Sequence, residues 1–284
     1  LEADTLSFAQ TAALGALAGF TIYLGLPFGR LQLLGSRARV ALAMFAVGVL
    51  AFIFVDVMEH AFGIVEAAVE GFKDESGSLG HAVGLAALLG GGFGVGLAGL
   101  AMTERRLRSM PPIAGGAVDV LSAEELLRDE AAARVRALRT GMTIAVAIGL
   151  HNFAEGLAIG VSASAGDISL ATVLIVGFAL HNATEGFGII GPLGDVRPSW
   201  KWLGLVGLVG GAPTFLGSML GYSVTSEPLE LLFYAVSGGA ILYVIGEVWN
   251  GMRHYGHREL GLWLLSIGFF IGVVTDLVVA YGGG

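Results

Sequence analysis

Residues 142–164 read MTIAVAIGLHNFAEGLAIGVSAS, and residues 168–193 read ISLATVLIVGFALHNATEGFGIIGPL. Each run is apolar over about 20 residues, enough to cross a bilayer core as a helix. Each carries a single carboxylate, Glu155 or Glu185, near its middle. A carboxylate at that depth is costly unless something compensates it. The compensation is legible in the same lines: both runs contain H-N-x-x-E-G, at His151–Gly156 and His181–Gly186. His and Glu four residues apart share one helix face.

Working outward, similar runs recur at 6–28, 40–62, 79–102, 202–222, 229–249 and 260–281, giving eight candidate spans. Residues 1–5 carry no basic side chain and the first run is long enough to span, so a membrane helix rather than a signal peptide is expected there. Of the 15 lysines and arginines, all but Lys73 fall between spans one and two, three and four, five and six, or seven and eight. The positive-inside rule then places those loops in the cytoplasm and both termini outside. The expected fold is an all-α integral membrane protein of eight helices, a single domain over 1–284. Its long cytoplasmic loop, 103–140, joins spans three and four. In that loop Pro111, Pro112 and Gly115-Gly116 read as linker. Ser122 and Glu125 form a candidate capping box for a charged helix reaching about Arg139.

Composition agrees. The chain is 55% hydrophobic and 13% charged, with mean hydropathy +0.79, whereas soluble domains carry about 25% charged residues. Its 46 glycines suit close helix packing in lipid. The absence of cysteine excludes disulfides, thiolate metal sites and thiol catalysis. A net charge of −8 argues against nucleic acid as a partner.

Imidazole, amide oxygen and carboxylate together make a ligand set for a borderline divalent metal. Spans four and five are antiparallel and joined by a short turn, so the faces bearing His151, Glu155, His181 and Glu185 can meet. Asn152 and Asn182 are turned about 100° from the histidines but still reach a second position beside the same glutamates. One His–Glu pair could simply neutralise itself, and the asparagines could be interhelical hydrogen-bond glue. Two copies at one depth argue for a shared metal site. Other polar groups fall on the same route. Asp56 lies deep enough in span two to assist, and Glu59 and His60 lie nearer the outer mouth. Asp276 marks the outer end of span eight and Glu247 the inner end of span seven. His81, His254 and His257 read as surface residues. Glu66, Glu70, Asp74, Glu75, Glu227 and Glu230 give the outer side an acidic field that would concentrate cations.

From His151 through Glu185 to Gly191-Pro192-Leu193 the sequence resembles the ZIP (Zrt/Irt-like) family of metal transporters, with H-N-x-P-E-G motifs in spans four and five. The resemblance is closest to prokaryotic members. It implies that His151, Glu155, His181 and Glu185 form a primary metal site. Asn152, Glu155, Asn182 and Glu185 would form an adjacent second one. It also implies Glu247 as an exit acid, Asp276 as an entrance acid, and often a homodimer. Three positions depart from the family pattern. Ala154 and Thr184 replace the motif prolines. Gly211-Ala212-Pro213 stands where many members have Gly-Glu-Pro, which predicts a weaker second site. Span two reads Asp56-Val57-Met58-Glu59-His60.

The expected function is passage of a divalent transition metal toward the cytoplasm across a prokaryotic cytoplasmic membrane. Zinc leads, with Cd2+, Fe2+, Mn2+ and Co2+ as alternatives. The rival is a membrane-embedded metalloenzyme in which two metals activate water. It is disfavoured because no H-E-x-x-H or nucleophile motif is present.

Overall fold

A computed structural model describes residues 6–31, 35–108, 123–166, 168–223 and 226–282; among them all regular structure is helical. The Ser122–Glu125 capping box and the Pro111–Gly116 linker lie outside the described residues. In chain order the helices are α1 (Phe8–Phe20), α2 (Phe28–Leu31), α3 (Ser36–Lys73), α4 (Leu79–Gly94), α5 (Leu100–Arg108), α6 (Ala123–Ser164), α7 (Ile168–Ile190), α8 (Trp200–Ser223), α9 (Glu227–Met252) and α10 (Arg258–Gly282). Among the described residues, seven helical segments are long and apolar enough to cross a membrane, and α7, 23 residues long, is a further apolar helix beside them. The protein is a multi-pass, all-α membrane protein.

Several ends have local causes. Ser7 and Gln10 cap α1 reciprocally, and Ser78 accepts the His81 amide at the start of α4. The first span is interrupted: a 3-10 turn at Thr21–Leu24 and the Gly25-Leu26-Pro27 break divide α1 from α2. The third contains a π-helical turn, Val95–Gly99, joining α4 to α5. Two helices outrun a bilayer. At 1.5 Å per residue, α3 with 38 residues and α6 with 42 are each roughly 60 Å long. The charged segment before span four and the span itself are therefore one helix.

Glycine decides how these helices pack. Gly156 and Gly160 of α6 face Gly217 and Gly221 of α8, each glycine lying against backbone of the other helix. A Cβ at any of these four would collide with main chain, so only glycine permits the approach. Gly48 of α3 and Gly268 of α10 make a second such seam. The seams divide the bundle into two groups. Helices α1, α6, α7 and α8 pack on one another, as do α3, α4, α9 and α10. The groups meet where α6 lies on α9 and where α7 lies on α3 and α10. That boundary is made by side chains, for example Phe153 against Phe233 at 4.6 Å between ring centroids. At the basic end of the bundle a surface ion pair crosses it. There Arg39 of α3 pairs with Asp195 at 3.2 Å and lies over the Tyr255 ring.

Candidate metal centre

The boundary between the two helix groups positions the site. His151 and Glu155, one turn apart on α6, face His181 on α7. Glu155 Oε1 lies 2.8 Å from His151 Nε2 and 2.5 Å from His181 Nε2. One ligand atom from each of the three side chains falls within 4.8 Å of the other two. Glu185 Oε1 approaches His151 Nε2 at 3.8 Å. Ser237 of α9, through Oγ, holds the other ring nitrogen of His151 at 3.1 Å, which fixes the direction in which Nε2 points.

The cluster is polar but incompletely satisfied. His151 and Glu185 are fully buried and Glu155 nearly so. Yet His151 Nε2, Glu155 Oε2 and Glu185 Oε1 have no hydrogen-bond partner. The His151–Glu155 contact is short in distance but misaligned as a hydrogen bond. Buried polar atoms are normally paired. Unpaired donor atoms converging on one point have the arrangement expected of ligands aimed at a common cation. Of these atoms, His151 Nε2 and Glu185 Oε1 lie 3.8 Å apart, near the roughly 3.3 Å edge of a tetrahedron with 2.0 Å bonds to zinc.

The polar core has two layers. His151, Glu155 and His181 line a cavity of about 640 Å³ that also reaches Asp56, His60, Glu230, Tyr234 and Asp276, toward the acidic end of the bundle. Asn152, Asn182 and Glu185 form a rear layer, fully buried behind it. There the Asn152 amide donates to Glu185 Oε2 at 3.2 Å and to the Gly210 carbonyl of α8 at 2.9 Å. The Asn182 amide donates to the Ala18 carbonyl of α1 at 3.2 Å. The side-chain carbonyls of both asparagines have no partner. Without the motif prolines, α6 and α7 run unbroken through the site. Thr184 Oγ1 bonds the His181 carbonyl instead.

No family model matches the chain. It is 32% identical over 146 residues to the zinc transporter ZupT of Clostridium perfringens, a stretch covering 50% of this chain and 51% of that protein. To the zinc transporter ZupT of Streptococcus mutans it is 27% identical over 146 residues, 50% of this chain and 55% of that one. The chain spans about half the length of the curated relatives it matches. Over half its length this chain is therefore similar to bacterial proteins named zinc transporters.

Other residues expected along the metal's route are distributed unevenly. Asp56 lines the cavity but stands apart from the tight three-residue cluster. His60 lines it too, its Nδ1 2.9 Å from the Asp56 carbonyl. Asp276 is exposed at the cavity wall. Glu59 is exposed and is not among the lining residues. Glu247 is half-buried on α9, away from the cavity. His81 is exposed and lies 3.3 Å from Glu227. Three polar residues of the protein's interior were not anticipated. Ser237 orients His151. Thr214 is buried with its hydroxyl unpaired. Glu104, a buried acid, accepts a 2.6 Å hydrogen bond from Tyr243. The available signal for Ser237 was its depth, since a lone hydroxyl in the middle of a span seldom faces lipid.

Proposed function

We propose that this protein carries a divalent transition metal, with zinc as cargo, from the acidic side of the membrane to the cytoplasm. The observation that carries the reading is the convergence of His151, Glu155 and His181 at the floor of a cavity leading toward the acidic end, with His151 Nε2 and Glu155 Oε2 left unpaired. Both matched relatives are named zinc transporters. The topology that fits is eight spans with α7 as the fifth, both termini outside, and the basic loops in the cytoplasm of a prokaryotic cell.

In this reading a hydrated ion enters past Asp276, His60 and Asp56. It exchanges water for His151 Nε2, Glu155 and His181 Nε2, while Glu185 supports the site from behind. Departure toward Glu247 requires the basic end to open. The two glycine-sealed groups offer a mechanical basis for that step, since each is tightly fastened internally while the boundary between them rests on side chains. One group could rock on the other and expose the site alternately. A homodimer is compatible with this motion.

The test is uptake of Zn2+, Cd2+, Fe2+, Mn2+ and Co2+ by sealed vesicles containing the purified protein. Accumulation of zinc that collapses in Glu155→Ala supports the reading. Metal-dependent turnover of a substrate without accumulation would make the protein a membrane metalloenzyme instead.

A further inference from the structure

A second cavity of about 380 Å³ lies at the opposite, basic end of the bundle, among the start of α3, the end of α9 and the start of α10. Its walls divide sharply by chemistry. Met44, Trp249 and Leu262 give it an apolar floor, and Arg253, His257 and Arg258 stand at its rim. All three rim residues are exposed. Among the described residues the side chain of neither Arg253 nor Arg258 has an ion-pair or hydrogen-bond partner. The nearest acid in sequence is Glu259, which does not line the cavity. Gly256 and His257 both adopt positive φ, 70° and 57°, and this tight turn brings the start of α10 to the rim.

The location matters as much as the composition. Trp263, one turn further along α10, is 70% exposed. A tryptophan at a helix end facing outward belongs at the boundary between headgroups and acyl chains. The cavity therefore opens sideways at that boundary, with its apolar floor at acyl depth and its cations at headgroup depth. A soluble anion would use the cations but leave the floor unfilled, and a neutral lipid would do the reverse. We infer that this cavity binds one anionic phospholipid of the cytoplasmic leaflet. Its phosphate would lie between Arg253 and Arg258, and the first part of an acyl chain over Met44 and Trp249. Basic pockets between membrane helices on this side recognise such headgroups.

The lining residues come from α3, α9 and α10, all within one helix group, so a bound lipid fastens that group and leaves the central cavity untouched. The inference needs the membrane setting of the bundle and, for the leaflet alone, the orientation proposed above. Zinc binding, measured in parallel, therefore reports separately on the proposed transport site.

Native mass spectrometry of the full chain, titrated with phosphatidylglycerol or phosphatidylcholine of matched acyl chains, tests it. One phosphatidylglycerol per chain should be retained with a preference of roughly tenfold over phosphatidylcholine. R253Q/R258Q should abolish the preference, and R253K/R258K should keep most of it. Equal retention of the two lipids, or an unchanged preference in R253Q/R258Q, would overturn the assignment. Displacement of phosphatidylglycerol from the native protein by millimolar glycerol phosphate would overturn it too, by making a soluble phosphate the ligand. If the glutamine variant does not fold, the lysine variant and the competition on native protein still decide.

Discussion

The two layers of the polar core come from the same six-residue motif yet are put to different uses. In front, His151, Glu155 and His181 face the cavity, with His151 Nε2 and Glu155 Oε2 unpaired and His181 Nε2 hydrogen-bonded to Glu155 Oε1. Behind, Asn152 and Asn182 turn their amide groups onto carbonyls of α8 and α1 and onto Glu185. A one-residue step along a helix is a 100° turn, so adjacent His and Asn address different neighbours. The histidines meet the boundary between helix groups, where a cavity exists. The asparagines meet the tightly packed interior of one group. The comparison teaches that a repeated metal-binding motif need not give two equivalent metal positions.

The most severe way to break the front layer is Glu155→Ala, which removes the carboxylate shared by both histidines. Zinc affinity and vesicle uptake should fall on the order of 100-fold or more, beyond the usual cost of losing an outer-shell partner. Calorimetry and a radiotracer assay read the two effects. Uptake within twofold of the native protein would mean that the cluster is not on the route.

Less severe changes act through positioning. Ser237→Ala leaves every proposed ligand in place but frees the His151 ring. Asn152→Ala leaves Glu185 Oε2 without its donor. Each should weaken zinc binding about tenfold. Ser237→Thr, which keeps the hydroxyl, should restore much of the loss. An alanine effect with no threonine rescue would point to packing rather than orientation. Acidification works on the same layer, because imidazole and carboxylate bind metal only when deprotonated. Zinc affinity should therefore fall as pH falls, by on the order of tenfold per unit for each proton displaced. An affinity constant between pH 7.5 and 5.5 would exclude the histidines as ligands.

Much of this was readable in advance, and the limits have physical causes. Apolar length foretold the helices, because lipid imposes that constraint on any single sequence. The depth of His151 and Glu155 pointed to the place where His151, Glu155 and His181 come together. Which neighbour each residue meets was not readable. Ser237, Gly210 and Ala18 come from three other helices, and their registers depend on glycine seams such as Gly156–Gly217. The break at Gly25-Leu26-Pro27 was hidden because the first run stays apolar across it. The lengths of α3 and α6 were underestimated because polar helix continues past the apolar stretch without a breaker.

The smallest expected effect sharpens the comparison most. Asn182 matches a ligand of the family's second metal site, but here its amide donates to the Ala18 carbonyl and ties α7 to α1. A second zinc beside the first would place +4 near Glu155 and Glu185, whose combined charge is −2. That excess is poorly screened in a low-dielectric interior. Span six offers Ala212 where many relatives carry glutamate, so no further carboxylate comes from that position. Asn182→Ala should then act as the loss of one interhelical hydrogen bond, about 0.5–1 kcal/mol of stability. It should appear as a slightly lower melting temperature, with zinc affinity within about twofold of native. Calorimetry should give a stoichiometry near one zinc per chain before and after the change. A native stoichiometry of two that drops to one in Asn182→Ala would make the rear layer a metal site in its own right. Ala212→Glu offers the converse measurement: added charge beside the rear layer should raise second-site occupancy only if that layer lacks charge rather than ligands.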